Sequence, residues 1–352
     1  MKRLLLYCFL LAGFLSGCED IYQPEIDSVE GTIVADARIV CGQDTNYVYL
    51  YNSIGFYESD GENTGISGAT VKLVDDNNNE FEFRELGEGN YRMTTDIDPN
   101  STYKLVIEKS GKTYESDFEP VPKVPSLDTV YGIPEVLIVQ EGGENNVNNF
   151  KEVKGIRLYA DITTNAEMPY FKFTARKILQ YTYGVDTVIM GVPTVLTMYG
   201  WRTFYPQGSF NVAAPPEYSG SVEIKKHPLF FLNNWLVIGD DQSCGGWNLI
   251  LYQHGISESS YNFYNDLNSQ LDSDGKLFDP LYVQARNNLK CTSNENELIL
   301  GNFEISRITE TRYFVRFISE KEGYAFHPVY EFYDIPFKGE ILDEVPEFWH
   351  FY

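Results

Sequence analysis

Thr70-Val71-Lys72-Leu73-Val74 and Tyr103-Lys104-Leu105-Val106-Ile107 are the two stretches that decide the fold of the N-terminal part of the chain. In both, alternate residues are apolar, which is typical of β-strands that bury one face. Turn-forming residues separate such stretches at Asp75–Asn79, Gly87–Gly89 and Pro99-Asn100. Because Gly, Asn and Pro favour tight turns, the pattern predicts short antiparallel strands joined by hairpins.

The same pattern recurs through the first third of the chain. It fits Gly31–Val40, Asn46–Tyr51, Thr70–Asp75, Glu80–Arg84, Asn90–Thr94, Thr102–Glu108 and Thr113–Phe118. Short strands with regular turns predict a small antiparallel, immunoglobulin-like β-sandwich. The runs Ile66-Ser67-Gly68-Ala69-Thr70-Val71 and Gly89-Asn90-Tyr91-Arg92 resemble the transthyretin-like or carboxypeptidase-regulatory-like modules of bacterial envelope proteins.

A proline-rich run, Pro120-Val121-Pro122-Lys123-Val124-Pro125, follows the predicted sandwich. Proline fixes φ and removes a backbone donor, so the run favours an extended spacer. We therefore predict a β-sandwich domain at residues 28–119, a linker at 120–125 and a larger antiparallel β domain at 126–352. The predicted fold class is all-β.

One segment of the larger domain has a helical period. Ser257 or Ser259 can cap a helix whose apolar residues recur every three or four positions, at Tyr261, Tyr264, Leu267 and Leu271. This spacing predicts a single amphipathic helix at about residues 257–272.

The stretch from Gly184 to Gly220 mixes aromatic residues with Gly and Pro. Long irregular loops within a domain are often functional or covered by a partner. On this interpretation a contact surface is formed by Tyr199, Trp201, Phe204 and Tyr205. A meander of short strands with buried rings is the alternative.

The N-terminal segment resembles an export signal, with Lys2-Arg3 before an apolar run from Leu4 to Leu15. Leu15-Ser16-Gly17-Cys18 is similar to a bacterial lipobox, which predicts a signal peptide at 1–17, lipidation of Cys18 and a tether at 18–27. A plain secretory signal is the alternative. The apolar run is shorter than the roughly 20 residues that span a bilayer, whereas several acyl chains anchor a protein stably.

These features predict a lipid-anchored protein of the outer membrane, with the membrane as a partner through its N-terminal lipid. Glu19-Asp20 resembles the acidic signal that accompanies surface export in some Bacteroidota lipoproteins, so the cell surface is favoured over the periplasmic face. The formal charge of −24 repels phosphate backbones, so nucleic acid is a poor partner.

No motif for catalysis, cofactor or metal emerges from the sequence. The four histidines are scattered, and neither a Gly-x-Ser-x-Gly elbow nor a His-Glu-x-x-His motif occurs. Asp75–Glu80 and Asp272–Gly275 could be drawn as calcium loops, but a hairpin and a helix-ending turn explain them without a metal. We therefore expect no catalytic residue, metal site or cofactor, and a non-enzymatic protein.

Three cysteines remain after Cys8 and Cys18. Cys244 and Cys291 lie in the same predicted domain, and an exported location permits disulfides, so we predict that they pair. Cys41 is then expected to be free and buried.

Three motifs in the second half carry a family resemblance. Ser260-Tyr261-Asn262-Phe263-Tyr264, Gly275-Lys276-Leu277-Phe278-Asp279-Pro280 and Leu300-Gly301-Asn302-Phe303-Glu304-Ile305-Ser306 resemble, in order and spacing, an uncharacterised Bacteroidota lipoprotein family, domain of unknown function 4249. The chain departs from the family pattern at Gln284–Cys291, where Arg286-Asn287-Asn288 replaces a glycine-containing turn.

Family members are often encoded near SusC-like TonB-dependent outer-membrane transporters. The resemblance thus implies an accessory or ligand-binding subunit of an envelope complex, with an outer-membrane barrel protein as partner. A stand-alone surface protein that binds glycan or peptide is the second hypothesis, and an envelope hydrolase the third. The sequence does not identify the ligand.

Overall fold

A computed structural model describes residues 31–54, 64–140, 150–165, 167, 169–206, 210–214, 222–233, 247–271, 285–319 and 323–328. Most of these residues form strands, and the described part of the chain contains one helix, α1 (Glu258–Leu271). The all-β prediction and the predicted helix are therefore confirmed.

The strands are long in the second half of the chain and short in the first. In chain order they are β1 (Ile33–Cys41), β2 (Asn46–Asn52), β3 (Thr70–Asp75), β4 (Glu80–Gly87), β5 (Asn90–Met93), β6 (Thr102–Lys109), β7 (Lys112–Ser116), β8 (Glu119–Pro120), β9 (Ser126–Gln140), β10 (Phe150–Thr164), β11 (Phe171–Ile189), β12 (Val192–Phe204), β13 (Asn211–Ala213), β14 (Val222–Asn233), β15 (Trp247–Gly255), β16 (Leu289–Cys291), β17 (Ile299–Ser319) and β18 (Gly323–Pro328).

The N-terminal strands form two layers around a first hydrophobic core. One layer runs β1-β2-β5-β4 and the other β4-β3-β6-β7, so β4 passes from one layer to the next. The alternation read from the sequence places Leu73, Tyr91 and Leu105 in this core with almost no exposed surface. Burial of such side chains stabilises each by roughly 1.5–3 kcal/mol relative to exposure.

Residues far along the chain complete the first core. β16 pairs with β7, and the first half of β17 pairs in parallel with β1, so that Leu289, Cys291, Phe303 and Ile305 pack with the N-terminal strands. The predicted domains placed these four residues in the second domain, at 126–352, and not in the first core. The parallel pairing joins segments more than 250 residues apart (Ile33 with Ile299), and local alternation carries no information about such a partner.

A second core lies between two further layers. The three-stranded sheet β9-β10-β14 packs its buried face, which includes Leu158 and Ile162, against Phe173 of β11, Leu249 of β15 and Val315 of β17. β17 thus runs through both cores: its first half pairs with β1 and its second half with β15 and β18.

The segment predicted as an irregular loop is largely a long hairpin. β11 and β12 pair continuously from Lys177↔Phe204 to Ile189↔Val192, and Met190 and Gly191 form the turn with φ of 50° and 84°. Two consecutive residues with positive φ are typical of a type I′ turn, which matches the twist of a hairpin. The structure therefore favours the alternative of β-strands over a long loop, with one long hairpin in place of a meander.

Candidate functional site

The outer face of the β1-β2-β5 layer carries a pair of tyrosines. Val48 and Leu50 of β2 are buried in the first core, so the intervening Tyr47 and Tyr49 face outwards. Their rings are stacked, with centroids 6.2 Å apart and planes 19° apart. The two residues are 37% and 36% exposed.

A depression of about 390 Å³ adjoins these tyrosines. It is lined by Tyr47, Tyr49, Leu86, Gly87, Glu88 and Asn90. The lining brings β2 together with the turn between β4 and β5. We name this depression and its two tyrosines the tyrosine platform.

Hydrogen bonds fix the turn that forms one side of the platform. The side-chain amide of Asn90 donates to the carbonyl oxygens of Gly87 (3.1 Å) and Glu88 (3.3 Å). The amide of Leu50 donates to the carbonyl oxygen of Gly89 at 2.8 Å, which ties the turn to β2. These bonds fix the backbone that carries the exposed Glu88 side chain beside the tyrosines.

This platform was not predicted, although the sequence carries a signal for it. Tyr47-Val48-Tyr49-Leu50-Tyr51 alternates aromatic with aliphatic residues, so a strand that buries the aliphatic residues must display the tyrosines on its other face.

A buried charged cluster lies beneath α1. The ammonium group of Lys172 on β11 donates to the Glu304 carboxylate on β17 (2.6 Å) and to the Tyr264 hydroxyl on α1 (3.1 Å). The Tyr264 hydroxyl donates to the same carboxylate oxygen of Glu304 at 2.6 Å. The side chains of Lys172 and Glu304 are only 7% and 2% exposed. We name these residues the Lys172 cluster.

Burial and charge set the ionisation of the cluster. Burial raises the pKa of Tyr264, and the neighbouring Glu304 charge raises it further, so the hydroxyl stays protonated. Burial acts to raise the pKa of Glu304, but the charge of Lys172 and the hydrogen bonds outweigh it and lower that pKa. Each charge has its partner, so the cluster joins α1, β11 and β17.

His254 lies close to this cluster. Burial, with a smaller contribution from the Lys172 charge, lowers its pKa to about 4, so the ring is neutral near pH 7. One ring nitrogen, Nε2, lies 2.9 Å from the Thr174 hydroxyl, and Nδ1 has no hydrogen-bond partner.

The aromatic residues predicted as a contact surface lie on or next to β12. Tyr199 pairs in register with Thr182, and Trp201 with Gln180, but the side chains of these two aromatic residues lie outside the described part. Phe204 and Tyr205 are 39% and 68% exposed. The structure therefore places two of the four predicted rings at the surface.

The outer end of the same hairpin is apolar and exposed. Among the described strands, β13 and β15 pair with β11 only along residues 171–179. The β11–β12 hairpin therefore continues beyond them as a two-stranded extension. Its large exposed apolar residues are Val185, Val188, Ile189, Met190, Val192, Val195 and Leu196. We name residues 185–196 the apolar ribbon.

The cysteine predictions have different outcomes. Cys41 is a free thiol buried in the first core, where its Sγ lies 3.4 Å from the Ile97 carbonyl oxygen. Cys291 is also a free, buried thiol in the structure. Cys244 and Cys18 lie outside the described residues, so the pairing of Cys244 with Cys291 and the lipidation of Cys18 stay predictions.

The first calcium candidate has a local explanation. Asp75 accepts hydrogen bonds from the backbone amides of Asn77 (2.9 Å) and Asn79 (2.7 Å), which closes the β3–β4 turn. The hydrogen bond from the Asn79 side chain lowers the pKa of Asp75. Within the described ranges, no group of three acidic, His or Cys residues could hold a metal ion, and no helix could cross a membrane.

Comparison with known proteins gives one family. A family model described as "Domain of unknown function (DUF4249)" matches residues 19–312. No curated protein and no solved structure matches the chain.

Proposed function

The chain belongs to the DUF4249 family, a domain of unknown function, and we propose that it is a lipid-anchored, non-enzymatic subunit of an envelope complex. The proposed partner is an outer-membrane barrel protein, for example one of the SusC-like TonB-dependent class. In this role the chain docks on the partner through the apolar ribbon and presents its other surfaces to a ligand.

The apolar ribbon is the observation that carries this proposal. Val188 and Val195 are 66% and 64% exposed, and Met190 at the turn is 99% exposed. From Thr187 to Trp201 the chain contains no charged residue, although the whole protein carries 51 acidic and 27 basic residues. Contiguous exposed apolar surface on an otherwise charged protein is typical of an interaction site.

The strand edges of the ribbon support the same role. In the described sheet β12 is a terminal strand, and β11 beyond residue 179 pairs only with β12. A two-stranded ribbon is only marginally stable by itself, and a long apolar edge is prone to pair with another chain. A partner that covers the ribbon would stabilise it and protect these edges.

The predicted anchor is compatible with such docking. Cys18 precedes the first described strand at Ile33 by 15 residues, and a chain of that length reaches at most about 50 Å. Lipidation of Cys18 would therefore keep both cores close to the membrane that holds the proposed partner.

Purification from native membranes in mild detergent tests this function. We expect a barrel protein to co-purify with the full chain and to be lost from the double variant Val188→Glu/Val195→Glu. Both substitutions add charge at exposed positions of the ribbon and leave the two cores unchanged.

The matched control is Ile54→Glu/Leu271→Glu, which adds the same charge at exposed apolar positions away from the ribbon. This control should retain the partner. A chain that never co-purifies with a barrel protein, or equal retention by both double variants, would contradict docking through the ribbon.

A stand-alone binder of glycan or peptide is the second candidate, supported by the exposure of Phe204 and Tyr205. Trp201→Ala should then abolish binding in a ligand screen while the thermal unfolding temperature is retained. Unchanged affinity would remove Trp201 from the site.

A further inference from the structure

The tyrosine platform has the composition of a ligand site separate from the apolar ribbon. Its two stacked rings, Tyr47 and Tyr49, belong to the layer of the first core, whereas the ribbon extends from the second. The volume of about 390 Å³ lies at the lower end of small-molecule sites, which range from about 300 to 1,000 Å³.

An arginine with an unsatisfied Nε lies next to the rings. Arg92 of β5 pairs directly with Tyr47 of β2, so both side chains emerge from the same face of the sheet. Residues opposite each other in an antiparallel pair have Cβ atoms about 4.5–5.5 Å apart. The Nε of Arg92 is inaccessible to solvent and has no hydrogen-bond acceptor in the structure. A buried donor normally has an acceptor, so this unsatisfied atom makes Arg92 a candidate donor to a ligand oxygen once its side chain turns towards the depression.

The remaining charges indicate a neutral ligand. Glu88 is the one charged residue in the lining of the depression, and it is acidic. The nearby Arg38 is already paired with Asp36 through two hydrogen bonds of 2.9 and 2.6 Å. A phosphate or carboxylate ligand would be repelled by Glu88 and by the net charge of −24 on the chain. Hydroxyl groups both donate and accept, so they can bond Glu88 and Arg92 at once.

We propose that the tyrosine platform binds a neutral oligosaccharide. The apolar C–H face of a sugar ring packs on the rings of Tyr47 and Tyr49, because aromatic side chains offer a large apolar surface. The hydroxyl groups of the sugar accept from Arg92 and donate to Glu88. Asn90 is a positioning residue, because its amide is used to hold the turn that carries Glu88.

Calorimetric titration of the full chain tests this site. The probes are maltohexaose, cellohexaose and mannohexaose, with tetragalacturonate as the acidic comparison. We expect at least one neutral probe to bind with a Kd between about 10 μM and 1 mM, and Tyr47→Ala and Tyr49→Ala each to weaken it at least about tenfold. Arg92→Met should weaken the same probe about fivefold or more.

Phe150→Ala is the matched control, because it removes an exposed aromatic ring that lies neither in the platform nor in the contact surface of Phe204 and Tyr205. It should change the Kd by less than about twofold. Circular dichroism melting of every variant separates lost binding from lost folding.

Three outcomes overturn the proposal. These are no binding of any neutral probe at millimolar concentration, unchanged affinity in folded Tyr47→Ala and Tyr49→Ala, and tighter binding of tetragalacturonate than of every neutral probe. The ribbon variant Val188→Glu/Val195→Glu should bind the neutral probe normally, so failure at one site is distinguishable from failure at the other.

Discussion

The Lys172 cluster holds two buried opposite charges, so the stability of the fold is sensitive to the loss of either one. Lys172→Met should lower the free energy of unfolding by about 3–5 kcal/mol, because it leaves Glu304 charged and buried without its partner. Urea unfolding measures the change. The control is Lys123→Met, which removes an exposed partner of Glu167 and should cost at most about 1 kcal/mol. The double variant Lys172→Met/Glu304→Met should be more stable than Lys172→Met alone, and equal or greater loss in the double variant would contradict this account.

His254 should make the stability of the protein depend on pH. Its pKa is lowered to about 4 by burial, whereas the unfolded value is about 6.5, so between these values the unfolded chain binds a proton that the folded protein does not. Stability contributed by the neutral ring is therefore present above pH 6.5 and declines by up to about 3 kcal/mol towards pH 4. Burial lowers the pKa of His227 as well, which adds a decline of the same sign.

The variant His254→Gln isolates the first contribution. Its free energy of unfolding, measured by urea from pH 7.5 to 4, should fall less steeply than that of the unaltered protein. Parallel pH profiles for the two proteins would exclude His254 as the source.

Individual residues differ in how well the sequence predicts them. Cys41 is buried as expected, because it lies in a strand among residues that alternate towards the core. The Lys172 cluster could not be predicted, since its three members lie on β11, α1 and β17 and no local pattern brings them together. Tyr47 and Tyr49 could have been identified from the alternation around them.

At the scale of elements, the pairing of β1 with β17 depends on close approach of two backbones. Gly301 has φ of 106°, and a Cβ there would overlap the carbonyl oxygen of Ala35 on β1. Gly301→Ala should therefore cost about 3 kcal/mol or more in urea unfolding. Gly111→Ala is the control, because Gly111 has φ of 77° with open space around it, and it should cost about 1–2 kcal/mol. Equal losses of unfolding free energy in the two variants would show that the close approach of Gly301 to Ala35 adds nothing to the cost.

Elements with strong local signals were predicted well, and those with weak signals were not. β3 and β6 follow the alternation of their own sequence, and α1 follows its apolar stripe. The β11–β12 hairpin was not predicted, since its turn is Met190-Gly191 and lacks the Asn-Gly pair that marks most type I′ turns. The apolar ribbon was missed with it, because exposure of aliphatic residues cannot be read from a strand pattern alone.

At the scale of the whole molecule, β17 determines how the two cores unfold. The strand contributes Phe303 and Ile305 to the first core and Tyr313 and Val315 to the second. Unfolding of one core exposes half of a strand whose other half is held in the next core. We therefore expect the two cores to unfold in one cooperative transition, although each has its own set of buried side chains.

A substitution in the first core tests this coupling in the second. Leu105 is fully buried in the first core and absent from the second, so Leu105→Ala should lower stability by about 2–5 kcal/mol. If β17 couples the cores, the slowest-exchanging backbone amides of β15 in the second core should lose protection from hydrogen exchange by the same free energy. Phe173→Ala, which damages the second core, should in turn reduce protection in β6 of the first. If each substitution affected only its own core, the cores would be independent units and β17 would be a passive connection between them.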